Sequence, residues 1–114
     1  MEITRGDNKT FKFKRTTKEG KVITEVPDEM YITLKKNSGI TKALFQKKLS
    51  NNSIIYDGNT NYYSFEIVPE DTDSLVYGKY NFDIEIIKNN KKRTIHKGTL
   101  KVTEEYTFTA NEVD

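Results

Sequence analysis

The sequence contains one histidine, His96, which lies in the basic segment Lys91–Lys97. A catalytic histidine needs an orienting partner in a cleft, and a metal site needs several ligands at matched spacing. The neighbouring lysines supply neither, so we expect His96 to be an ordinary residue on a strand surface. Cysteine is absent, so no disulfide, thiolate metal site or cysteine nucleophile is expected.

Acidic residues cluster once, in Glu70-Asp71-Thr72-Asp73. The cluster lacks the alternating Asp and Asn, the central Gly and the distal Glu of an EF-hand calcium loop. Pro69 precedes it, and proline followed by acids is typical of the first turn of a helix, where the helix dipole favours negative charge. The segment is therefore predicted to begin a short helical turn.

A glycosidase needs a pair of carboxylates, and the candidates for such a pair are Glu66, Asp83 and Glu85. They lie on predicted strands, and the i, i+2 spacing of Asp83 and Glu85 places them on the polar face of one strand. The sequence has no phosphate-binding loop, dinucleotide fingerprint or nucleophile elbow. We therefore predict a protein that is not an enzyme, with no catalytic, cofactor-binding or metal-ligating residues and no cofactor.

Basic residues interleave with Phe11 and Phe13 near the start of the chain, and residues 88–97 are predicted to form a basic hairpin. Such interleaving is typical of proteins that bind single-stranded nucleic acid, which makes this the alternative function. Strand alternation sends Phe11 and Phe13 to one face and Lys12 and Lys14 to the other, which favours buried aromatics and argues against nucleic acid as a partner. The basic residues near the start are Lys9, Lys12, Lys14, Arg15 and Lys18.

A carbohydrate-binding module is a third hypothesis, because such modules present aromatic rings to solvent. The plausible rings are Tyr31, Tyr56, Tyr62 and Tyr77.

Length and composition indicate one small domain. The 114 residues suit a single core, and the core must be thin, because only 34% of the residues are hydrophobic. Seven Tyr and six Phe compensate with large buried areas. The net charge of +2 comes mostly from lysine, which favours solubility. The chain begins in polar residues and has no run of about eighteen apolar ones, so neither an export signal nor a membrane partner is predicted.

Apolar side chains recur at every second position, which predicts strands. Examples are Phe11 and Phe13, and then Met30, Ile32 and Leu34. Short strands with turns at this spacing favour a sandwich or a barrel. The predicted strands are 9–16, 21–25, 29–36, 42–49, 53–57, 61–67, 78–88 and 93–103. Turns are predicted at Lys18–Lys21, Asn37–Gly39, Asp57–Gly58 and Asn89–Asn90.

Tyr80 follows the predicted helical turn and enters a strong strand. In immunoglobulin-like sandwiches a tyrosine at this entry donates its hydroxyl to the backbone of the preceding crossover. Tyr80 is the candidate for such a corner; the alternative is an ordinary aromatic residue at a strand start.

The tripeptide Arg5-Gly6-Asp7 matches an adhesion motif, but predicted extended segments lie on both sides of it. We therefore interpret it as a bend.

Residues 1–104 are predicted to form one domain and residues 105–114 a C-terminal tail. The tail is expected to fray, although Tyr106 and Phe108 alternate with threonines and could form a strand on the exposed sheet edge of a partner.

The order of segments resembles a family of proteins encoded among the tail genes of phages and prophages of low-GC Gram-positive bacteria. The segments are ITRGD, MYITLKKN, KALFQKKLSN, YYSFEIVPEDTDSL, YGKYNFDIEII and GTLKVTEE. They span nearly the whole chain and are similar to the N-terminal domain of the phage baseplate upper protein.

The resemblance implies an all-β, antiparallel immunoglobulin-like β-sandwich of about seven to eight strands with one short helical turn. It also implies a docking module of a phage tail or baseplate. Its partners would be other tail or baseplate proteins, with repeated copies forming a homo-oligomer in the particle. The expected location is the virion, after assembly in the bacterial cytoplasm. Because the sequence ends at Asp114, before the long extension of the baseplate protein, a stand-alone adaptor is expected.

Overall fold

The computed structural model describes residues 1–36 and 42–104. In that part of the chain the protein forms eight strands and one four-residue helix, which agrees with the predicted number of strands and the single helical turn. In chain order they are β1 (Glu2–Thr4), β2 (Lys9–Phe13), β3 (Glu29–Lys35), β4 (Phe45–Lys48), β5 (Ile54–Asp57), β6 (Tyr62–Ile67), α1 (Pro69–Thr72), β7 (Gly78–Lys88) and β8 (Lys91–Thr103).

The strands form two sheets. One has five strands in the order β1-β8-β7-β3-β4, and the other has three in the order β2-β6-β5. All pairs are antiparallel except β1 with β8, where Glu2 lies beside Lys101 and Thr4 beside Thr103 in parallel register. The prediction of an entirely antiparallel arrangement is therefore wrong for this pair. Parallel pairing needs no tight hairpin here, because β1 and β8 come from opposite ends of the described chain.

A single hydrophobic core lies between the sheets. Alternate residues of β3 contribute Met30, Ile32 and Leu34, each at most 1% exposed. The three-strand sheet contributes Tyr63 and Ile67, which are fully buried. The period-two pattern in the sequence thus identified the buried face of both sheets. The remaining core side chains are Ile3, Ile54, Phe65, Leu75, Tyr80, Phe82, Ile84, Ile86, Leu100 and Val102.

The crossover from the three-strand sheet to the five-strand sheet is held by polar contacts. Pro69 begins α1, and the Asp71 carboxylate accepts a hydrogen bond from the Val68 amide at 2.9 Å. The same Oδ2 atom lies 2.7 Å from Lys47 Nζ on β4. The acidic cluster therefore does start a helix, and it also ties that helix to the other sheet.

Tyr80 occupies the predicted corner. Its side chain is 4% exposed, and its hydroxyl donates to the Val76 carbonyl oxygen at 2.5 Å. The bond closes the loop between α1 and β7, since Val76 lies on the crossover itself.

The Arg5–Asp7 tripeptide is a bend, as predicted. Gly6 has a φ of +87°, a conformation that glycine adopts readily. Its amide donates to Thr72 Oγ1 at 3.0 Å, and the Arg5 guanidinium lies 4.6 Å from the centre of the Tyr77 ring. The bend carries the chain from one sheet to the other and packs against the crossover. We call this region, with α1 and Tyr80, the crossover end.

One local prediction was wrong. Residues 21–25 form no strand; the segment contributes one isolated bridge, between Thr16 and Val22. The turn predicted at Asp57–Gly58 is present. It is closed by the Asn61 amide, which donates to the Asp57 carbonyl oxygen at 2.7 Å, and Asn61 adopts a positive φ of 64°. The short strand β1 was not predicted as a strand, since three residues are too few to show a period.

The hairpin between β7 and β8 is as predicted. Asn89 and Asn90 both adopt positive φ, 51° and 62°, which matches the twist of a tight two-residue turn. The predicted turn Asn37–Gly39 and the tail 105–114 lie outside the described residues.

Candidate docking groove

An open groove lies between the end of β2 and residues 93–96 of β8, at the end of the molecule opposite the crossover. Its volume is about 790 Å³, within the range of ligand sites in proteins. We call it the docking groove and this end of the molecule the groove end. Its lining residues are Phe13, Lys14, Arg15, Thr16, Thr17, Lys18, Ile23, Ile84, Arg93, Thr94, Ile95 and His96.

The groove is open because two strand edges are uncovered beside it. β8 runs from Lys91 to Thr103, but β1 pairs only with 101–103. Within the described residues, no strand pairs with the remaining outer edge of β8, nor with the side of β2 that faces away from β6. Unpaired edges present rows of backbone N–H and C=O groups that can pair with another strand.

The floor of the groove is apolar. The Phe13 ring stacks on Tyr63 with 5.4 Å between ring centroids, so Phe13 faces inward as its alternation predicted. Ile95 is half-buried against the core, although its neighbours on β8 are exposed. The register of β8 against β7 shifts at this point, between Ile84 and Glu85. A bulge of this kind re-aims a side chain, and here it turns Ile95 toward the groove.

The rim is cationic. Lys14, Arg15 and Lys18 line one side and Arg93 lines the other, and no carboxylate is among the described residues that line the groove. The fold therefore brings together the two basic segments that are far apart in the sequence. A concave site with one sign of charge concentrates ligands of the opposite sign.

A buried hydroxyl lies beneath the rim. Tyr63 is fully buried, and its hydroxyl has no hydrogen-bond partner among the described residues. Burial raises the pKa of this phenol, and the Arg15 guanidinium lies near enough to oppose part of the rise without meeting hydrogen-bond geometry. Arg15 instead donates to the Glu25 carbonyl oxygen at 3.0 Å.

His96 is an exposed residue of β8, as expected, but it also lines the groove. Its ring is tilted against Phe82, with 5.6 Å between centroids. The Phe82 ring covers Gly98, where an added Cβ would come within 2.7 Å of it. His96 is therefore a wall residue of the groove, held by an aromatic neighbour.

The three predicted carboxylates do not form one site. Glu66 lies on the three-strand sheet and accepts a hydrogen bond from Asn8 at 3.2 Å. Asp83 and Glu85 lie on the outer face of the five-strand sheet, 3.8 Å from Lys35 and 3.5 Å from Lys92 respectively. Across the described ranges, no group of three or more acids and histidines could hold a metal ion.

The four tyrosines considered for carbohydrate binding do not form a platform. Tyr31 is on the outer face of the five-strand sheet, whereas the Tyr62 ring lies on the three-strand sheet beneath Lys14, 4.6 Å away. The Arg5 guanidinium lies 4.6 Å from the centre of the Tyr77 ring, and the Tyr56 hydroxyl donates to Asn61 Oδ1 at 2.8 Å.

Sequence reasoning missed the groove itself. Its walls come from β2, the segment after β2 and the middle of β8, which no motif connects. The local signal of the bulge was the apolar Ile95 in an otherwise polar stretch, because it is one residue out of phase with Leu100 and Val102 of the same strand.

In the part of the chain that the structure describes, no helix is long and apolar enough to cross a bilayer. Comparison with protein-family models found no match, and comparison with curated proteins found none either.

Proposed function

We propose that the protein is a non-enzymatic docking component of a phage or prophage tail, built on an immunoglobulin-like sandwich. The observation that supports the docking role is the groove between two uncovered strand edges, which has an apolar floor and a cationic rim. Strand addition supplies main-chain hydrogen bonds, and flanking pockets supply specificity. The assignment to a tail rests on the sequence resemblance.

Strand order supports the immunoglobulin-like part of the proposal. In that family one sheet pairs strands B, E and D, and the other pairs G, F, C and C′. With β2 taken as strand B, the orders β2-β6-β5 and β8-β7-β3-β4 correspond to these two sheets. Tyr80 adds support, because the tyrosine corner of such domains lies at the start of strand F.

The proposal is tested in particles. Virions or tails purified from a strain that carries the gene are analysed by mass spectrometry and by immunogold electron microscopy. We expect the chain in the tail at a fixed ratio to the other tail proteins, and we expect deletion of the gene to leave tails unassembled. Finding the expressed chain in the cell but never in purified tails would overturn the assignment.

Binding of single-stranded nucleic acid is the second candidate, favoured by the convergence of Lys14, Arg15, Lys18 and Arg93 on one groove. Bases need exposed rings for stacking, whereas Phe13 is stacked on Tyr63 and Phe11 on Phe65. Titration with an oligonucleotide at increasing salt separates the two functions. Tight binding that falls steeply with salt would favour nucleic acid, because that dependence reports counterion release.

A further inference from the structure

We propose that the docking groove receives residues 105–114 of a second copy of this chain, which add as a strand to the uncovered edge of β8. The inference rests on the proposed docking role and names its occupant. Copies would then associate head to tail.

The groove selects its occupant by chemistry. Its apolar floor, formed by Phe13, Ile23, Ile84 and Ile95, requires apolar side chains on one face of the incoming strand. In the described part of the chain its rim carries Lys and Arg but no carboxylate, so the strand should be acidic. The basic residues also reject a second β8, because like charges on paired edges repel.

Residues 105–114 have that chemistry. Tyr106, Phe108 and Ala110 fall at alternate positions, so an extended chain would put all three on one face. Glu105, Glu112 and Asp114 supply negative charge, and the segment contains no Lys, Arg or His. The alternating part is about 17 Å long as a strand, which fits the edge of β8 left uncovered below residue 99.

The apolar residues of this segment cannot reach the groove of their own chain. Ile95 precedes Thr103 by eight residues of extended β8, or about 26 Å. Phe108 follows Thr103 by five residues and can lie at most about 18 Å from it. Tyr106 reaches about 11 Å. The occupant is therefore a neighbouring copy.

The resulting contact is heterologous, because the groove of one copy meets the C-terminal segment of the next. Such contacts close into rings when the rotation between copies allows it, and otherwise extend as filaments. Either form repeats the chain around or along an axis, as the repeated copies implied by the resemblance would be.

Sedimentation velocity on the purified full chain over a concentration series tests the proposal. We expect the wild-type protein to associate, and two variants to remain monomeric under the same conditions. Phe108→Asp disables the segment, and the double variant Lys18→Glu, Arg93→Glu disables the rim, whose side chains are exposed. The dissociation constant of each variant should be at least about tenfold higher than that of the wild type. Circular dichroism checks that both are folded.

Mixing the two variants gives the decisive result. One contributes an intact groove and the other an intact segment, so a dimer should form and growth should stop there. Val76→Asp is the matched control, because Val76 is 63% exposed and lies at the other end of the molecule. This control should associate as the wild type does.

A synthetic peptide of residues 104–114 should block association of the wild type, and the same peptide with Tyr106→Ser and Phe108→Ser should not. The proposal is overturned if the wild type stays monomeric to about 1 mM, if Phe108→Asp associates normally, or if the mixture yields no dimer. Loss of oligonucleotide binding in the rim variant, with association unchanged, would also overturn it and identify a nucleic-acid site. Because these measurements need no phage, their outcome is independent of whether the chain is found in tails.

Discussion

The two ends of the molecule differ in how their polar groups are satisfied. At the crossover end the Tyr80 hydroxyl, the Asp71 carboxylate and the Gly6 amide all have partners within the fold. At the groove end the Tyr63 hydroxyl has none among the described residues, and two strand edges are uncovered. Satisfied groups stabilise a domain, whereas unsatisfied edges with an apolar floor are suited to a partner. The difference separates the end that maintains the fold from the end proposed to bind.

Truncating an apolar side chain at each end should give the largest contrast. Leu75 is 6% exposed, so Leu75→Ala should lower the free energy of unfolding by about 2–4 kcal/mol through lost burial and the cavity left behind. Ile95 is half-buried, and Ile95→Ala should cost about 1 kcal/mol. Urea unfolding followed by circular dichroism measures both. Equal losses would contradict the proposed division between the ends.

The Lys47–Asp71 ion pair should be the strongest single polar contact at the crossover end. Its atoms are 2.7 Å apart, and the side chains are 12% and 15% exposed. Asp71→Asn should destabilise the protein by about 1–2 kcal/mol, because it leaves the lysine half of a partly buried pair without its charge partner. The matched control is Glu85→Gln, which breaks a 3.5 Å pair whose lysine is 58% exposed. That change should cost below about 0.5 kcal/mol. If Glu85→Gln lowered the free energy of unfolding as much as Asp71→Asn does, burial would not determine how much an ion pair contributes.

Removing one hydroxyl at each end sharpens the comparison further. Tyr80→Phe should cost about 1 kcal/mol, since it deletes the corner hydrogen bond to Val76. Tyr63→Phe should be neutral or slightly stabilising, because the buried hydroxyl it removes has no partner in the described structure. Thermal unfolding of both variants compares the two directly. A clear loss of stability in Tyr63→Phe would reveal a hydrogen bond that the fold does not otherwise account for.

The smallest predicted effect is the loss of the stability that Glu29 contributes when the pH is lowered. Burial acts to raise the pKa of Glu29, but hydrogen bonds from Ser50 and the Met30 amide outweigh it and lower the pKa below its ordinary 4.5. A carboxyl whose pKa is lower in the folded state than in the unfolded one contributes stability above about pH 4.5. That contribution is lost as the pH falls through the folded-state pKa.

Unfolding free energies measured from pH 6 down to pH 3 should therefore fall less in Glu29→Gln than in the wild type. Glu19→Gln, the same change at an exposed glutamate, is the control. Parallel curves for Glu29→Gln and the wild type would contradict the assignment of this stability to Glu29.

Much of the fold was predictable from the sequence. The alternation of Met30, Ile32 and Leu34 identified a buried strand face, and Asn89–Asn90 identified a hairpin turn, because both signals depend on neighbouring residues alone. The corner at Tyr80 was predicted from its place after the helical turn. Residues 21–25 were predicted wrongly, because a strand needs a partner along its length and the fold gives this segment one bridge.

The sequence by itself determined which side chains face inward and where the chain turns, since both follow from backbone preferences and a period of two. Only the tertiary structure decided that the parallel strand β1 covers just 101–103 of β8, and that Arg15 and Arg93 meet at one groove. Strand pairing and the convergence of distant charges depend on contacts between remote segments. Local sequence patterns do not show which remote segments pair. That pairing leaves the edge of β8 uncovered and one end of the domain open.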